Sequence, residues 1–397
     1  MSDPATCSRP SLLILGASTR AAAQSAIRAG LDPICADLFA DVDLRATARV
    51  LEVVNYPRGL VSAAARAAPG CPWIYTGGLE NHPHLVARIS KSRPLWGNGR
   101  DVLRRIRDPW HVRELLTQSS LVALRVWPPG AAPPPTDGTW ILKPLRGAAG
   151  RGIRVWDGPP RGRTSLREPH YFQERRGGNS ISALYLAAPT QTCLLGTSRQ
   201  LIGLKEVHAL PFAWCGTITP IELPDEIVAT VRRIGEVLAA ETGLLGLFGC
   251  DFVVDDGRPW LTEVNPRYPA STELVEQVLQ IPLLDWHRRM FVVPPSGRFG
   301  ATPPEGGTAN GPVLGKIVIY ADRDLVAPDL ARFVRRPSNW LDTVHASDRS
   351  LPFLADIPAP GQRIPRGQPV CTLFARGTTE SDCLAKLLRR ALRVQRL

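Results

Sequence analysis

Residues 250–271, CDFVVDDGRPWLTEVNPRYPAS, carry four groups suited to a charged ligand: Asp251, Glu263, Asn265 and Arg267. Their neighbours are Val, Phe, Trp and Leu, so the polar groups sit on what reads as two adjacent strands around Asp256-Gly257, a dipeptide favoured in tight hairpin turns. Glu263 and Asn265 are two apart on a strand and share a face, with Val264 on the other. Two carboxylates and an amide make an oxygen-only donor set for a hard cation. Mg²⁺ typically takes one or two protein carboxylates and leaves its other positions to phosphate oxygens and water. Asp251 joins that face only on a condition. A two-residue loop would pair it with Thr262 and turn it away from Glu263, so an odd-length loop or a bulge is required.

The elements that must position this hairpin can be read on either side of it. The stretch TWILKPLRGAAGRGIRVWDG reads as strand, glycine-rich turn and strand, with Lys143 on the first strand and residues 146–152 as the turn. HYFQE, ISALYLA and TCLLGTS read as further strands, and residues 225–241 as a helix closed by Gly243. Near the start, SLLILGASTRAAAQSAIRAGLDPICADLF gives a buried strand, a turn at Gly16, a helix over 21–28, a cap at Gly30 and a second strand. This is the opening βαβ unit of a parallel sheet. Ser18 and Ala21 to Ala23 stand where a dinucleotide fingerprint needs glycine, so an NAD site is not supported. A helix N-terminus still attracts anions, and Ser18, Thr19 and Arg20 could hold a substrate carboxylate or phosphate; a capping serine and a solvated arginine account for the same residues equally well. WIYTGG is followed by Glu80 and Asn81, at the carboxyl end of a strand, where ligands of open α/β sheets bind. Asp108 as N-cap and Pro109 at the first helical position start a fresh helix. The expected divisions are residues 1–107, 108–291 with a lid over about 120–180, a Pro/Gly linker over 292–310, and a small α/β tail over 311–397 ending in a helix.

Composition bounds the rest. A chain of 397 residues, 44% hydrophobic, is long enough for two or three cores. No apolar run approaches the length of a membrane span, and the run 12–15 is too short for a signal-peptide core, which leads to a cytoplasmic expectation with no membrane partner. Eight cysteines form no CxxC pair, and His82 and His84 flank Pro83 with no third ligand nearby in sequence. The net charge of +12 raises nucleic-acid binding, but the basic residues are spread through every segment with no aromatic-interleaved platform. They are almost all arginine, the exceptions being Lys91, Lys143, Lys205, Lys316 and Lys386. Compositional bias explains the charge, and no nucleic-acid partner is expected.

The Gly-Cys-Asp-Phe-Val…Leu-Thr-Glu-Val-Asn-Pro-Arg hairpin, the Lys143 strand with its glycine loop, and YFQE between them resemble the ATP-grasp superfamily of carboxylate-amine ligases over about residues 11–290. The resemblance implies an α/β protein with an α+β lid: a Rossmann-like pre-ATP-grasp domain, an ATP-grasp domain with antiparallel sheets, and a small C-terminal α/β domain similar to that of biotin carboxylase-like enzymes. It implies that Asp251, Glu263 and Asn265 bind Mg²⁺ (or Mn²⁺) bridging the phosphates of ATP, and that Arg267 meets the transferred phosphoryl or acyl group. Lys143 would neutralise the phosphates, and Arg146, Gly147, Gly150 and Gly152 would belong to a loop closing over them. Gln173 and Glu174 would form the hinge beside adenine. Arg107 stands where many relatives have a second lysine, which keeps the charge but not the geometry. The acidic residue that often holds the ribose is not obvious in RRGGNSIS, where Asn179 or Ser180 could substitute. The implied reaction joins a small-molecule carboxylate to an amine through an acylphosphate, with specificity from Ser18, Arg20, Glu80 and Asn81, in a chain that could form a homodimer. Within the superfamily the chain is reminiscent of ligases of methanofuran or methanopterin cofactor synthesis. An ATP-grasp fold that binds ATP without turnover, and a basic nucleic-acid binder, are the alternatives.

Overall fold

The computed structural model describes residues 9–159, 169–292, 311–330 and 351–396. The first layer is built from β1 (Ser11–Gly16), α1 (Arg20–Arg28), β2 (Asp32–Asp37), α2 (Val42–Thr47), β3 (Arg49–Leu51), α3 (Gly59–Ala65), β4 (Trp73–Tyr75) and α4 (Pro83–Ser90). Its four strands are parallel in the order β3-β2-β1-β4. Leu12, Leu13, Ile14 and Leu15 are all at zero exposure, because both faces of β1 are covered; a strand covered on both sides reads as a continuous apolar run. Helices α5 (Arg100–Ile106) and α6 (Pro109–Gln118) lead out of this layer. The Asp108 carboxylate accepts from the backbone of Trp110 and His111, the N-cap that its sequence position predicts.

A three-stranded sheet, β6-β5-β7, follows: β5 (Trp140–Pro144), β6 (Arg154–Val155) and β7 (His170–Glu174). Trp140, Leu142 and Trp156 form its own small core. The larger sheet has β8 (Asn179–Ala187), β9 (Thr192–Ile202), β10 (Trp214–Thr219), then α7 (Asp225–Thr242), β11 (Gly246–Asp255), β12 (Arg258–Asn265), α8 (Thr272–Leu279) and α9 (Leu283–Val292). The remaining elements are β13 (Val313–Tyr320), β14 (Leu325–Val326), β15 (Leu354–Ala355), β16 (Arg363–Ile364), β17 (Pro369–Gly377) and α10 (Glu380–Val394).

The tail does not stand apart as the division at 311 anticipates. The antiparallel order β12-β11-β8-β9-β10-β13-β17-β15 runs without a break from the hairpin to the tail. Ile218 of β10, Ile317 of β13, Phe374 of β17 and Leu387 of α10 belong to one buried cluster. Pairing β13 against β10 gives backbone groups that would otherwise lie at an open edge their partners, which outweighs the Pro/Gly composition of the linker.

The hairpin meets the condition set by its face pattern. Asp256 and Gly257 both have positive φ, 48° and 68°, as a two-residue turn of this hand demands. Asp255 then pairs with Arg258 and Phe252 with Leu261, but Asp251 pairs with Glu263. Thr262 is the extra residue of a bulge, and that one insertion turns Asp251 to the side of Glu263 and Asn265.

Candidate active site

Three layers converge on the bulged hairpin. From β5, Lys143 is 7% exposed; its Nζ donates to the Thr262 carbonyl at 3.0 Å and to Gln173 Oε1 on β7 at 3.1 Å. From the end of α5, Arg107 Nη1 donates to Glu263 Oε1 at 2.6 Å, and its Nη2 to Asn81 Oδ1 at 2.9 Å. From β12 itself, Asn265 Nδ2 donates to Asp251 Oδ2 at 3.0 Å. Arg267 Nη2 donates to Asn265 Oδ1 at 3.0 Å, and its Nε to Glu80 Oε1 at 3.1 Å. The glycine loop lies over this group: the Gly147 carbonyl accepts from Asn81 Nδ2 at 2.9 Å. Arg107, Lys143, Gly147, Gly150, Gln173 and Glu263 line one cleft.

The charges differ although the two carboxylates pair. Burial, and then the Glu263 carboxylate, push Asp251 up to about 7. Burial also acts to raise Glu263, but Arg107, then Lys143 and Arg267, hold it below the usual carboxylate range. Asp251 thus receives less compensation from the site's cations than Glu263 does. Among the described residues no group of three or more His, Cys, Asp or Glu could hold a metal ion. Two carboxylates and the Asn265 amide therefore suit a cation that completes its shell with phosphate and water, which fits Mg²⁺.

The other residues singled out in the sequence fall as follows. Arg146 and Gly152 are exposed on the loop. Gly150, at φ 75°, passes so close to the Phe212 carbonyl that a Cβ would lie 1.9 Å from its oxygen. Arg151, from the same loop, donates to the Gly367 carbonyl and to Gln368 Oε1. The Glu174 carboxylate is engaged by Arg176 at 2.8 Å and Arg125 at 3.3 Å. Ser18 is exposed, and its carbonyl accepts from Thr76 Oγ1. Glu80 and Asn81, at 3% and 8% exposure, reach the hairpin through Arg267 and Arg107. Arg20 does not project from the Gly16 turn to meet a ligand. At 2% exposure it lies 2.5 Å from Glu273, 2.7 Å from Asp356 and 3.6 Å from Asp43, so its charge is spent on three carboxylates. Two residues join the site without having been singled out for it. Gln200 on β9 donates Nε2 to Asp251 Oδ1 at 2.8 Å, and Lys316 on β13 donates to the Ala270 carbonyl and to Glu273. Lys316 stood out only as one of five lysines, and nothing in the sequence around Gln200 marks it.

The profile of the ATP-grasp domain family matches residues 121–271, and the chain carries such a domain. An uncharacterized protein of Methanocaldococcus jannaschii is 25% identical over 252 residues, 61% of this chain and 52% of that protein; the chain thus spans about half the length of this relative. Among solved structures, the biotin carboxylase domain of Hydrogenobacter thermophilus 2-oxoglutarate carboxylase, a dimer in complex with MgADP, ADP and bicarbonate, superposes at a TM-score of 0.67 with 14% identity, over 96% of this chain and 89% of that one. The L-amino acid ligase of Bacillus licheniformis gives 0.66 and 14%, over 96% and 97%. The chain therefore shares its overall fold with these two proteins, the tail included.

Proposed function

We propose that the protein is an ATP- and Mg²⁺-dependent ligase that joins a carboxylate to an amine. The observation that carries this is a cleft under the glycine loop lined by Arg107, Lys143 and Glu263, with Asn265 joining Asp251 to Arg267 by hydrogen bonds on the same hairpin. Asp251, Glu263 and Asn265 would hold the Mg²⁺, which supplies charge neutralisation to the β- and γ-phosphates. Lys143 and Arg107 place positive charge beside them, and the loop around Gly147 and Gly150 excludes water. A carboxylate oxygen of the first substrate attacks the γ-phosphorus and ADP leaves; the amine nitrogen of the second attacks the acyl carbon, phosphate leaves and the amine proton passes to solvent. Arg267 would meet the charge that develops on the transferred group. Phosphoryl transfer asks for positioning and electrostatics and no protein nucleophile, which agrees with this set of side chains.

ADP release measured against panels of carboxylic acids and amines tests the reading. Glu263→Gln should lower turnover at least 100-fold while the thermal midpoint stays within a few degrees. ATP binding without ADP release for any pair would make the chain a non-catalytic nucleotide-binding module. The same assay with glutamate and pterin or furan precursors tests the narrower place in one-carbon cofactor synthesis, which the sequence resemblance suggests.

A further inference from the structure

The glycine loop that roofs the candidate active site is fastened at three points. Asn81 ends the short turn Leu79–Asn81 behind β4, is 8% exposed, and engages both ends of its amide: Nδ2 donates to the Gly147 carbonyl at 2.9 Å, and Oδ1 accepts from Arg107 Nη2 at 2.9 Å. The same Arg107 Nη2 lies 3.5 Å from the Gly147 carbonyl, and its Nη1 holds Glu263 at 2.6 Å. One side chain of the parallel layer thus joins the loop, the end of α5 and, through Arg107, the hairpin. In the middle of the loop Gly150 lies against the Phe212 carbonyl. At its far shoulder Arg151 donates to the Gly367 carbonyl at 3.2 Å and to Gln368 Oε1 at 3.0 Å, both in the tail.

Closed in this way, the cleft has about 70 Å³ of room, well short of the ~300–1,000 Å³ of a typical ligand pocket. A ligand of nucleotide size therefore enters only when the loop lifts. The three fastenings differ in how hard they are to undo. Arg151 is exposed, and water replaces its two acceptors as it leaves. Gly150 has no side chain to hold with, and its contact is steric. Lifting the loop off Asn81 strips a buried amide donor of its partner, which is the larger loss. Asn81 is also the fastening that bears on the charges below, because a turn of its amide takes an acceptor away from Arg107. Arg107 Nε, buried and without a hydrogen-bond partner among the described residues, is a donor left over for an acceptor that enters the cleft.

We propose that Asn81 is a positioning residue that clasps the glycine loop shut and ties its closure to the placement of Arg107 on Glu263. It acts through the loop and through Arg107, not through contact with a substrate. That the ligand beneath the loop is a nucleotide rests on the ligase reading; the clasp does not. Coupling is reciprocal, so a group that draws Arg107 away from Asn81 loosens the loop, and a lifted loop loosens Arg107.

Limited trypsin digestion of the full-length protein without ligand tests the clasp, because cleavage after Arg146 and Arg151, resolved by mass spectrometry, reports how often the loop is open. Asn81→Ala should speed cleavage after Arg146 about tenfold, the effect of one buried hydrogen bond. Asn81→Asp, which keeps an acceptor for Arg107 but sets a carboxylate against the Gly147 carbonyl, should speed it as much. Cleavage after Arg199, inside β9, should stay at the parent's rate. Arg107→Met should also speed cleavage after Arg146, and adding it to Asn81→Ala should add nothing, because the two side chains act as one unit. Arg151→Gln, which releases only the tail, should have a smaller effect than Asn81→Ala. Unchanged cleavage in Asn81→Ala, an equal rise after Arg199, independent effects of Asn81→Ala and Arg107→Met, or an Arg151→Gln effect as large as that of Asn81→Ala would each overturn the proposal. A fluorescent non-hydrolysable ATP analogue with Mg²⁺, followed in parallel, should leave Asn81→Ala about tenfold faster than the parent, and an unchanged release rate counts against the clasp. If the parent binds no nucleotide, the ligase reading falls while digestion still decides the clasp.

Discussion

At the scale of single residues, two amides decide how a carboxylate is presented. Asp251 receives Gln200 on one oxygen and Asn265 on the other, so both lone-pair directions left to a cation are fixed by neighbours on β9 and β12. Side chains that orient a metal ligand commonly carry 10–100-fold in metal affinity. Gln200→Leu is accordingly expected to raise the Mg²⁺ concentration giving half-maximal ADP release by about tenfold, with the KM for ATP measured at saturating Mg²⁺ little changed. An unchanged Mg²⁺ requirement would show that Asn265 alone holds Asp251. Glu263 and Asn265 were legible in the sequence because they are two apart on one strand. Gln200 was not, because it comes from a strand 51 positions away and nothing local distinguishes it.

At the scale of elements, the loop and the helix packing against the sheet carry the predictions. Gly150 adopts φ 75° against the Phe212 carbonyl, a conformation and an approach that a side chain cannot share. Gly150→Ala should displace the glycine loop and raise the KM for ATP about tenfold, read by initial-rate kinetics, with a thermal midpoint close to the parent's because the loop is peripheral to the core clusters. α9 contributes His287, 3% exposed, whose Nδ1 accepts from the Leu247 backbone, leaving its Nε2–H for the Trp96 carbonyl. Burial pushes this imidazole down to about 4. A base whose folded pKa lies below its unfolded value stabilises the fold fully above about 6.5, and the contribution fades as pH falls toward 4. Urea unfolding should therefore show stability falling between pH 6.5 and 4, with His287 supplying up to about 3 kcal/mol of the fall. His287→Gln should flatten that slope, and an unaltered slope would assign it to carboxylates elsewhere.

At the scale of the whole molecule, the tail completes the sheet that carries the candidate site. β13 hydrogen-bonds to β10, and Lys316 reaches from it to Glu273 and to the Ala270 carbonyl, three residues beyond Arg267. Both partners of that ion pair are buried, at 5% and 6% side-chain exposure. Removing one partner of a buried pair leaves an uncompensated charge, and Lys316→Met is expected to cost about 3 kcal/mol by denaturant titration. Arg20 still faces Glu273 in that variant, so a loss much below 1 kcal/mol would mean that Arg20 alone suffices to hold it. Cutting the chain after residue 310 should abolish cooperative unfolding, because β13, β17 and α10 share a core with β10.

The sequence by itself determined the elements and marked the residues of the proposed site: alternation and turn residues mark the strands, a βαβ unit opens the parallel sheet, and the carboxylates, amide, arginine and lysine can be picked out by type and spacing. All of these are local signals, carried by periods of two and 3.6 residues or by a single cap. Only the tertiary structure decided that the tail extends the sheet, that Arg20 is consumed by carboxylates from three separate segments, and that Gln200 and Lys316 border the site. Those outcomes depend on contacts spanning hundreds of positions. There, backbone pairing and the cost of burying an unpaired charge select the neighbour, and neither leaves a mark on adjacent residues.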